Sequence, residues 1–398
     1  MANKYFRVLH QELNRTMHTE QLIAHGNIAR EENNPEASLA YYAQAFTQDR
    51  HSAAAFCNYG NVLRESGDPE GAIPFLQRSI QLDPTNITAQ FNLAVAYLLK
   101  GDYARGWPQY ESRWKYEHLN GVLPNLVQPR WTGQDLTDKT ILVLAEQGHG
   151  DNIQFIRFVG ELASRGGRVV VQVNESLVPL FQNLPLISRL YAPTDVVAEF
   201  DYWTPIMSIP GVIGTTVENL THSQFYLKAD EKLARAWLKR LGPKRRLRVG
   251  FCWSGRRDTW INKHKAMPLD VMLELICRNP AYEWINLQAD CTGEEEAALI
   301  AAGVTAYPGT VNNFADTAAL VHHLDVVLSV DTAVAHLAGA LGRPVWVMLN
   351  QFGLDWRWLL DRDSSPWYST ARLFRQPRMG DWASVTERIH QYLTWFKV

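Results

Sequence analysis

Cysteine is scarce in this sequence: Cys57, Cys252, Cys277 and Cys291 are the four in 398 residues, and they form neither a CxxC pair nor a disulfide-like framework. That excludes a disulfide-stapled scaffold and a cysteine-based zinc site, and it makes a reducing compartment the expectation. Charge of one sign is equally lacking. Lys plus Arg (39) nearly balance Asp plus Glu (41), leaving a net charge of -2, so no sequence-wide field attracts a phosphate backbone and nucleic acid is not an expected partner. No apolar run approaches the ~18 residues of a transmembrane segment, and MANKYFRVLHQELNRTMH lacks the apolar stretch of a signal peptide. The expectation is a soluble, cytoplasmic protein. What is abundant is core-forming material, 46% hydrophobic residues with 14 Trp and 15 Tyr, over a length that suggests about two or three domains.

Gly26, Gly60 and Ala94 recur at a spacing of 34, and so do Asn34, Asp68 and Asp102. Ala29, Leu63 and Tyr97 keep that register, as do Tyr42, Leu76 and Tyr110. The period resembles the tetratricopeptide repeat, a helix-turn-helix unit whose small residues let paired helices approach closely. NYGNVLRESGDPEGAIPFLQRSIQLDP, at 58–84, is the best copy; the third departs after Gly106, where Trp107 and Pro108 interrupt the second-helix pattern. A solenoid of about three repeats over 1–115 exposes a groove for a peptide or protein. The same helices could instead serve packing or dimerisation, so a homodimer stays open.

Residues 116–139, with two prolines and no sustained period, read as a connector. From Thr140, TILVLAEQGHGDNIQFIRFVGELASRGGRVVVQV has the strand, turn, helix, strand order of a βαβ unit, and a first Rossmann-like domain spans 140–240. RVGFCWSG restarts the pattern after the basic linker LGPKRRLR, opening a second such domain over 245–398. Helices at 268–278, 294–302 and 314–323 and strands at 283–287 and 326–330 follow. Alternation of this kind predicts doubly wound parallel sheets. The fold class is therefore α plus α/β: a helical repeat solenoid followed by two Rossmann-like domains.

VLSVDTAVAHLAGALGRPVWVM, at 327–348, places a helix directly after a strand, from Asp331 to Gly342. Asp331 has the side chain of a preferred N-cap, which leaves the first backbone N–H groups on Thr332, Ala333 and Val334. That helix start lies at the carboxyl edge of the sheet and favours an anion. His336 could reach the same anion or could be a buried core histidine. Neither GxxxxGK[ST] nor GxGxxG is present, and GHGD at 148–151 is only a partial glycine turn, so the anion is read as the diphosphate of another nucleotide ligand.

Three motifs in order, LAEQGHGDNIQFIRFV, SVDTAVAHLAGALGRPVWVM and WRWLLDRDSSPWYSTARLFRQ, resemble the tetratricopeptide proteins whose C-terminal part is similar to the ADP-heptose:lipopolysaccharide glycosyltransferases, enzymes of the two-domain GT-B fold. The resemblance covers residues 20–398. It implies that Asp331, Thr332, Ala333 and His336 bind the donor diphosphate and sugar, and that Gly150 and Asp151 present a carboxylate to the acceptor. It also implies that Lys263 or Lys265 contacts the phosphates and that Gln288 meets the nucleoside.

Glycosyl transfer needs an activated nucleophile and a neutralised leaving diphosphate. Asp151 is the candidate base, although its position also suits a helix cap, and His149 is the second candidate. Glu146, Gln147 and Gly148 would orient the turn or the acceptor. Ser254 and the Gly255 N–H could bond a phosphate, or WSG is simply a tight turn. Asp361-Arg362-Asp363 fits the letters of a DxD metal motif but lacks its strand-end context, so no metal is assigned, and no cofactor beyond the nucleotide-sugar substrate. The aromatics around Trp356 and Trp358 read as packing or as a sugar platform. The tail DWASVTERIHQYLTWFKV reads as a terminal helix, which in GT-B proteins often crosses back to the first domain. Direct displacement would invert the anomeric centre, with a protein or peptide acceptor held by the repeats. The alternatives are a non-catalytic scaffold or a glycan-directed transferase.

Overall fold

The computed structural model of the chain describes residues 17–116, 124–197, 199–220, 225–255, 265–307, 311 and 313–396. Three helix pairs open it: α1 (Thr19–Glu31) with α2 (Pro35–Gln48), α3 (Ala53–Glu65) with α4 (Pro69–Leu82), and α5 (Ile87–Lys100) with α6 (Tyr103–Tyr110). The 34-residue series are now physical. Asn34, Asp68 and Asp102 are the N-caps of α2, α4 and α6, each side chain accepting the N–H three residues on, an interaction worth about 0.5–2 kcal/mol. Gly26 and Gly60 lie where the second helix of each pair crosses the first. A Cβ there would sit 2.4 Å from the Tyr42 ring and 2.8 Å from Leu76. Ala94, fully buried, is the small residue of the third pair.

That third pair departs in its second helix, as the sequence indicates. Helix α6 has 8 residues where α2 and α4 have 14, contains Pro108, and tightens into a single 3-10 segment over Glu111–Lys115. The helices form one unit, Met1–Asn120, together with a short segment from much later in the chain, Phe352–Trp356. Trp356 packs edge-on to Trp107, ring centroids 5.4 Å apart. A groove of about 610 Å³ in this unit is lined by Gln77, Ile80, Gln81, Gln90, Leu93 and Gln109.

The second unit, Gly121–Gln351 with Arg357–Val398, holds two parallel sheets. The first is built from β1 (Thr140–Leu144), α7 (His149–Phe155), α8 (Val159–Ser164), β2 (Arg168–Gln172), α9 (Val178–Phe181), β3 (Arg189–Tyr191), β4 (Tyr202–Pro205) and α10 (Ile209–Ile213). Its strand order is β3-β2-β1-β4. After α11 (Glu231–Leu241) come β5 (Arg248–Cys252), α12 (Leu269–Arg278), β6 (Glu283–Asn286), α13 (Gly293–Ala301), α14 (Phe314–Val321), β7 (Val326–Val330), α15 (Ala333–Ala340), β8 (Val345–Leu349), β9 (Ala371–Arg375) and α16 (Trp382–Trp395). The second order is β6-β5-β7-β8-β9. Strands β5, β7 and β8 are buried at every residue, as expected of a parallel sheet covered on both faces. Strand order reverses between β1 and β4 and between β5 and β7, the places where such sheets leave a crevice at their carboxyl ends.

The terminal helix does not follow the expectation of a crossing. Trp382, Val385, Ile389 and Leu393 of α16 enter the core of the second sheet with Val249, Phe251, Trp284 and Trp346. The Tyr282 hydroxyl donates to the Leu393 carbonyl, and Arg278 pairs with Glu387 at 2.8 Å. Its apolar stripe finds its cover beside α12, within its own half.

Candidate functional site

The reversal in the second sheet brings the residues after β5 beside those after β7. Helix α15 begins at Ala333, with Thr332 in the N-cap position in extended backbone. This corrects the helix start and the role assigned to Asp331. The Asp331 carboxylate does not cap; it lies 2.5 Å from Lys265 Nζ and 3.9 Å from His336 Nε2. A nearby ammonium is a stronger partner for a carboxylate than a backbone N–H. The Asp331 side chain is 5% exposed while the residue as a whole is only part-buried, so what faces outward is main chain. Thr332 and Ala333 are part-buried as well. The first turn of α15 is therefore not sealed beneath other side chains.

The floor of this crevice is tightly bonded. The Gln288 Oε1 accepts the Ser254 N–H (3.1 Å) and faces the Cys252 thiol (3.2 Å), and its Nε2 donates to Asp290. Ser254, 5% exposed, directs its hydroxyl to the Gly255 carbonyl at 3.0 Å. Of the expected donor contacts, Gln288 and Ser254 thus brace the turn after β5, Gly255 is part-exposed at its end, and Lys263 lies outside the described residues. Burial pushes the Cys252 thiol up to about 11 and the Cys57 thiol up to about 12. Both should stay protonated near neutrality. Iodoacetamide treatment of the folded protein is expected to alkylate exposed Cys277 and to spare Cys57 and Cys252 until denaturant is added, as read by peptide mass spectrometry. Early labelling of Cys252 would mean that the crevice floor opens.

His336 resolves toward burial. It is 5% exposed, its Nδ1 is 2.9 Å from the Tyr368 hydroxyl, and its ring stacks on Trp358 at 5.4 Å. Burial holds the Tyr368 hydroxyl well above the usual phenol range. Lys265, Asp331, His336 and Tyr368 form a continuous polar series running inward from the helix start.

From the first sheet, α7 faces α15. A Cβ on Gly150 would lie 2.9 Å from the His336 ring and 3.4 Å from Ala333 Cα, so the glycine allows close approach of the two helices. Gly148, rather than Asp151, occupies the N-cap position of α7, and Asp151 sits at the third helical position. Its Oδ2 accepts the Gly148 N–H at 2.8 Å, and its Oδ1 pairs with Arg357. His149 Nε2 is 2.9 Å from the Ser176 hydroxyl, and its ring lies 5.0 Å from Phe314. Gln147, which starts the turn, has φ +57°, a left-handed conformation costly for a side-chain-bearing residue and typical of functional turns. Glu146 accepts the Met207 N–H at 2.9 Å and so ties the turn to the residues after β4.

Arg357 is the residue that sequence reasoning missed. It is 6% exposed, its Nε donates to Gln154 Oε1 at 2.8 Å, and its Nη2 to Asp151. The signal was present: an arginine between two buried tryptophans requires a buried acceptor. Trp356 and Trp358 are both packed inside, and Asp361 and Asp363 are exposed. Among the described residues no three His, Cys, Asp or Glu side chains gather as a metal site would require, and no helix is long and apolar enough to cross a membrane.

Comparison with known proteins gives two matching regions. Residues 60–101 match the TPR repeat family, and residues 284–348 match glycosyltransferase family 9 (heptosyltransferase). Protein FlbA of Caulobacter vibrioides is 26% identical over 326 residues, 75% of this chain and 54% of that protein, so the chain spans about half the length of the curated relative it matches. Among solved structures, the glycosyl transferase family 9 protein of Veillonella parvula is similar over 67% of this chain and 99% of its own, with 11% identity and a TM-score of 0.51, a likeness of fold. The ADP-heptose LPS heptosyltransferase II of E. coli covers 64% of this chain and 98% of its own at 14% identity and a TM-score of 0.46.

Proposed function

We propose, for a chain that joins a tetratricopeptide region to a glycosyltransferase family 9 region, that it transfers a sugar from a nucleotide-sugar donor by direct, inverting displacement without a metal. The acceptor in this reading is a protein or peptide recruited by the helical repeats. The 140–240 half serves as the acceptor side and the 245–398 half as the donor side, in a cytoplasmic protein.

One observation carries the reading: the part-exposed first turn of α15, at the strand-order reversal between β5 and β7, stands against α7 with Lys265 at its flank. Backbone N–H groups at Thr332 and Ala333, the positive end of the helix and the Lys265 ammonium favour a diphosphate there. Those groups also oppose the charge that grows on the diphosphate as the glycosidic bond breaks. Asp331 holds Lys265 in place, with the His336 ring 3.9 Å behind the carboxylate and Tyr368 bonded to the other ring nitrogen of His336. Gly255 completes the donor side, with Ser254 and Gln288 shaping the turn that carries it. Across the seam, Gln147, Gly148 and Gly150 shape the acceptor side. Asp151 takes the proton of the acceptor nucleophile, with His149 the alternative.

The description of family 9 as heptosyltransferases favours a glycan acceptor as the second reading. The repeats favour a protein. In a thermal-shift panel, one class of nucleoside diphosphate or nucleotide sugar is expected to raise Tm, since saturation at a hundredfold excess over Kd adds ~2.7 kcal/mol of stability. No shift with any donor, together with no transfer to protein or glycan, would leave the chain a scaffold.

A further inference from the structure

One face of α7, the helix that carries Asp151, lies against residues of the second half of the α/β unit. Gly150 admits His336 and Ala333 at close range. Asp151 and Gln154 both bind Arg357, and the Phe155 ring meets Trp367 at 5.6 Å. Phe158, in the 3-10 turn Ile156–Phe158 that prolongs the helix, meets the same Trp367 edge-on at 6.4 Å. Positions 150, 151, 154, 155 and 158 have the spacing of a single helical stripe. Every one of these contacts lies within the unit that holds both sheets.

The far end of the helix is tied in the same direction. A helix leaves its last carbonyls without donors of its own. Here the Ile153 carbonyl accepts the Tyr226 hydroxyl at 3.0 Å, and the Gln154 carbonyl accepts Arg157 Nε at 2.9 Å. The Arg157 guanidinium also donates to the Trp367 carbonyl (2.9 Å) and to the Tyr226 hydroxyl (3.1 Å). It lies over the rings of Tyr226 (4.5 Å), Tyr368 (4.9 Å) and Trp367 (5.4 Å). Among the described residues no carboxylate pairs with it. Its charge is met instead by a helix end, a carbonyl and π faces, groups that fix direction as well as place.

Gln154 stands between the two arginines. Its main-chain carbonyl takes Arg157, and its Oε1 takes Arg357 at 2.8 Å. The side chain is fully buried, and its Nε2 has no hydrogen-bond partner among the described residues. A buried donor left unmade lowers stability, a cost that an apolar side chain of the same length would not carry. What the amide supplies is an acceptor that keeps Arg357 beside Asp151.

We infer that Gln154 and Arg157 are positioning residues: together they register α7 on the second half, so that Asp151 keeps a fixed place relative to the first turn of α15. The functional part rests on the reading of Asp151 as the base, while the docking of α7 does not.

The test uses the full chain with Gln154→Met, Arg157→Met, Arg157→Lys and Asp151→Asn. It is read by hydrogen exchange and by nucleoside diphosphate release from ADP-, UDP- and GDP-sugars in the presence of a protein or glycan acceptor. Exchange over residues 149–158 is expected to quicken about tenfold or more in both methionine variants, with β1 at the parent rate. In the same two, kcat should fall about 10–100-fold while donor KM changes less than about threefold, as misplacement of a reacting group does. Arg157→Lys keeps the charge without the planar fork and should recover part of the loss. Either methionine variant added to Asp151→Asn should cost little further activity, because all act through one carboxylate. Should Arg157→Met fail to fold, Gln154→Met, which conserves volume, carries the same comparison. Exchange over 149–158 at the parent rate, or an equal rise in β1, would overturn the docking. Quickened exchange with kcat at the parent level would overturn the positioning role. A quickened 149–158 in variants of a parent that consumes no donor would sustain the docking and sink the transferase reading, so the two failures are distinguishable.

Discussion

Lys265→Met is expected to lower unfolding stability by ~3–5 kcal/mol, the effect of removing one partner from a buried ion pair, and to abolish the Tm rise on donor binding. Among the described residues, the buried Asp331 carboxylate would be left with the His336 ring, 3.9 Å away, in place of the ammonium at 2.5 Å. Urea unfolding measures the first effect and the thermal-shift panel the second. The double variant Lys265→Met with Asp331→Asn separates them. Removing both charges should restore most of the stability, because no lone charge remains buried, but not the donor response. A loss under about 1 kcal/mol in the single variant would place Lys265 in the class of solvated surface charges, and a retained donor response would remove it from the diphosphate site.

Asp151→Asn should reduce kcat by about 10²–10⁴-fold, the range for loss of a general base. The asparagine oxygen can still accept the Gly148 N–H that the carboxylate now takes at 2.8 Å, so the start of α7 is kept. His149→Gln, in contrast, should cost less than about tenfold if His149 only bonds Ser176 and is not the base. Reversal of that order would move the base to His149. Circular dichroism on both variants checks that neither effect is loss of fold.

Much of the architecture is legible from local pattern. The 34-residue register locates caps and close approaches because both recur once per helix pair: Asp68 caps α4 just as Asn34 caps α2, and Gly60 admits Leu76 as Gly26 admits Tyr42. The strand at Val326–Val330 is readable because a strand buried on both faces is a near-continuous apolar run, here VVLSV with three valines. The helices at 268–278, 294–302 and 314–323 differ from α12, α13 and α14 by one or two residues at their ends, where caps and fraying decide.

The site is less legible, since its decisive partners are distant in sequence. Asp331 has a cap's side chain, and local propensity places it at the helix start. Lys265 then outcompetes the backbone for it, and nothing near Asp331 announces that lysine. The same holds for Asp151, whose partner Arg357 comes from beyond β8. His336 could not be decided from its helix alone, because Tyr368 and Trp358, which bury it, also lie past β8. The departure at Trp107 was visible, but the packing of Trp356 against it was not.

Gly150 limits where a ligand can lie. Even a methyl group there would press on His336 and Ala333, so the two halves meet at that point like the pivot of a pair of tongs. On the proposed reading, space for a sugar and its diphosphate belongs on either flank of the pivot, toward Lys265 on one hand or Ser176 on the other.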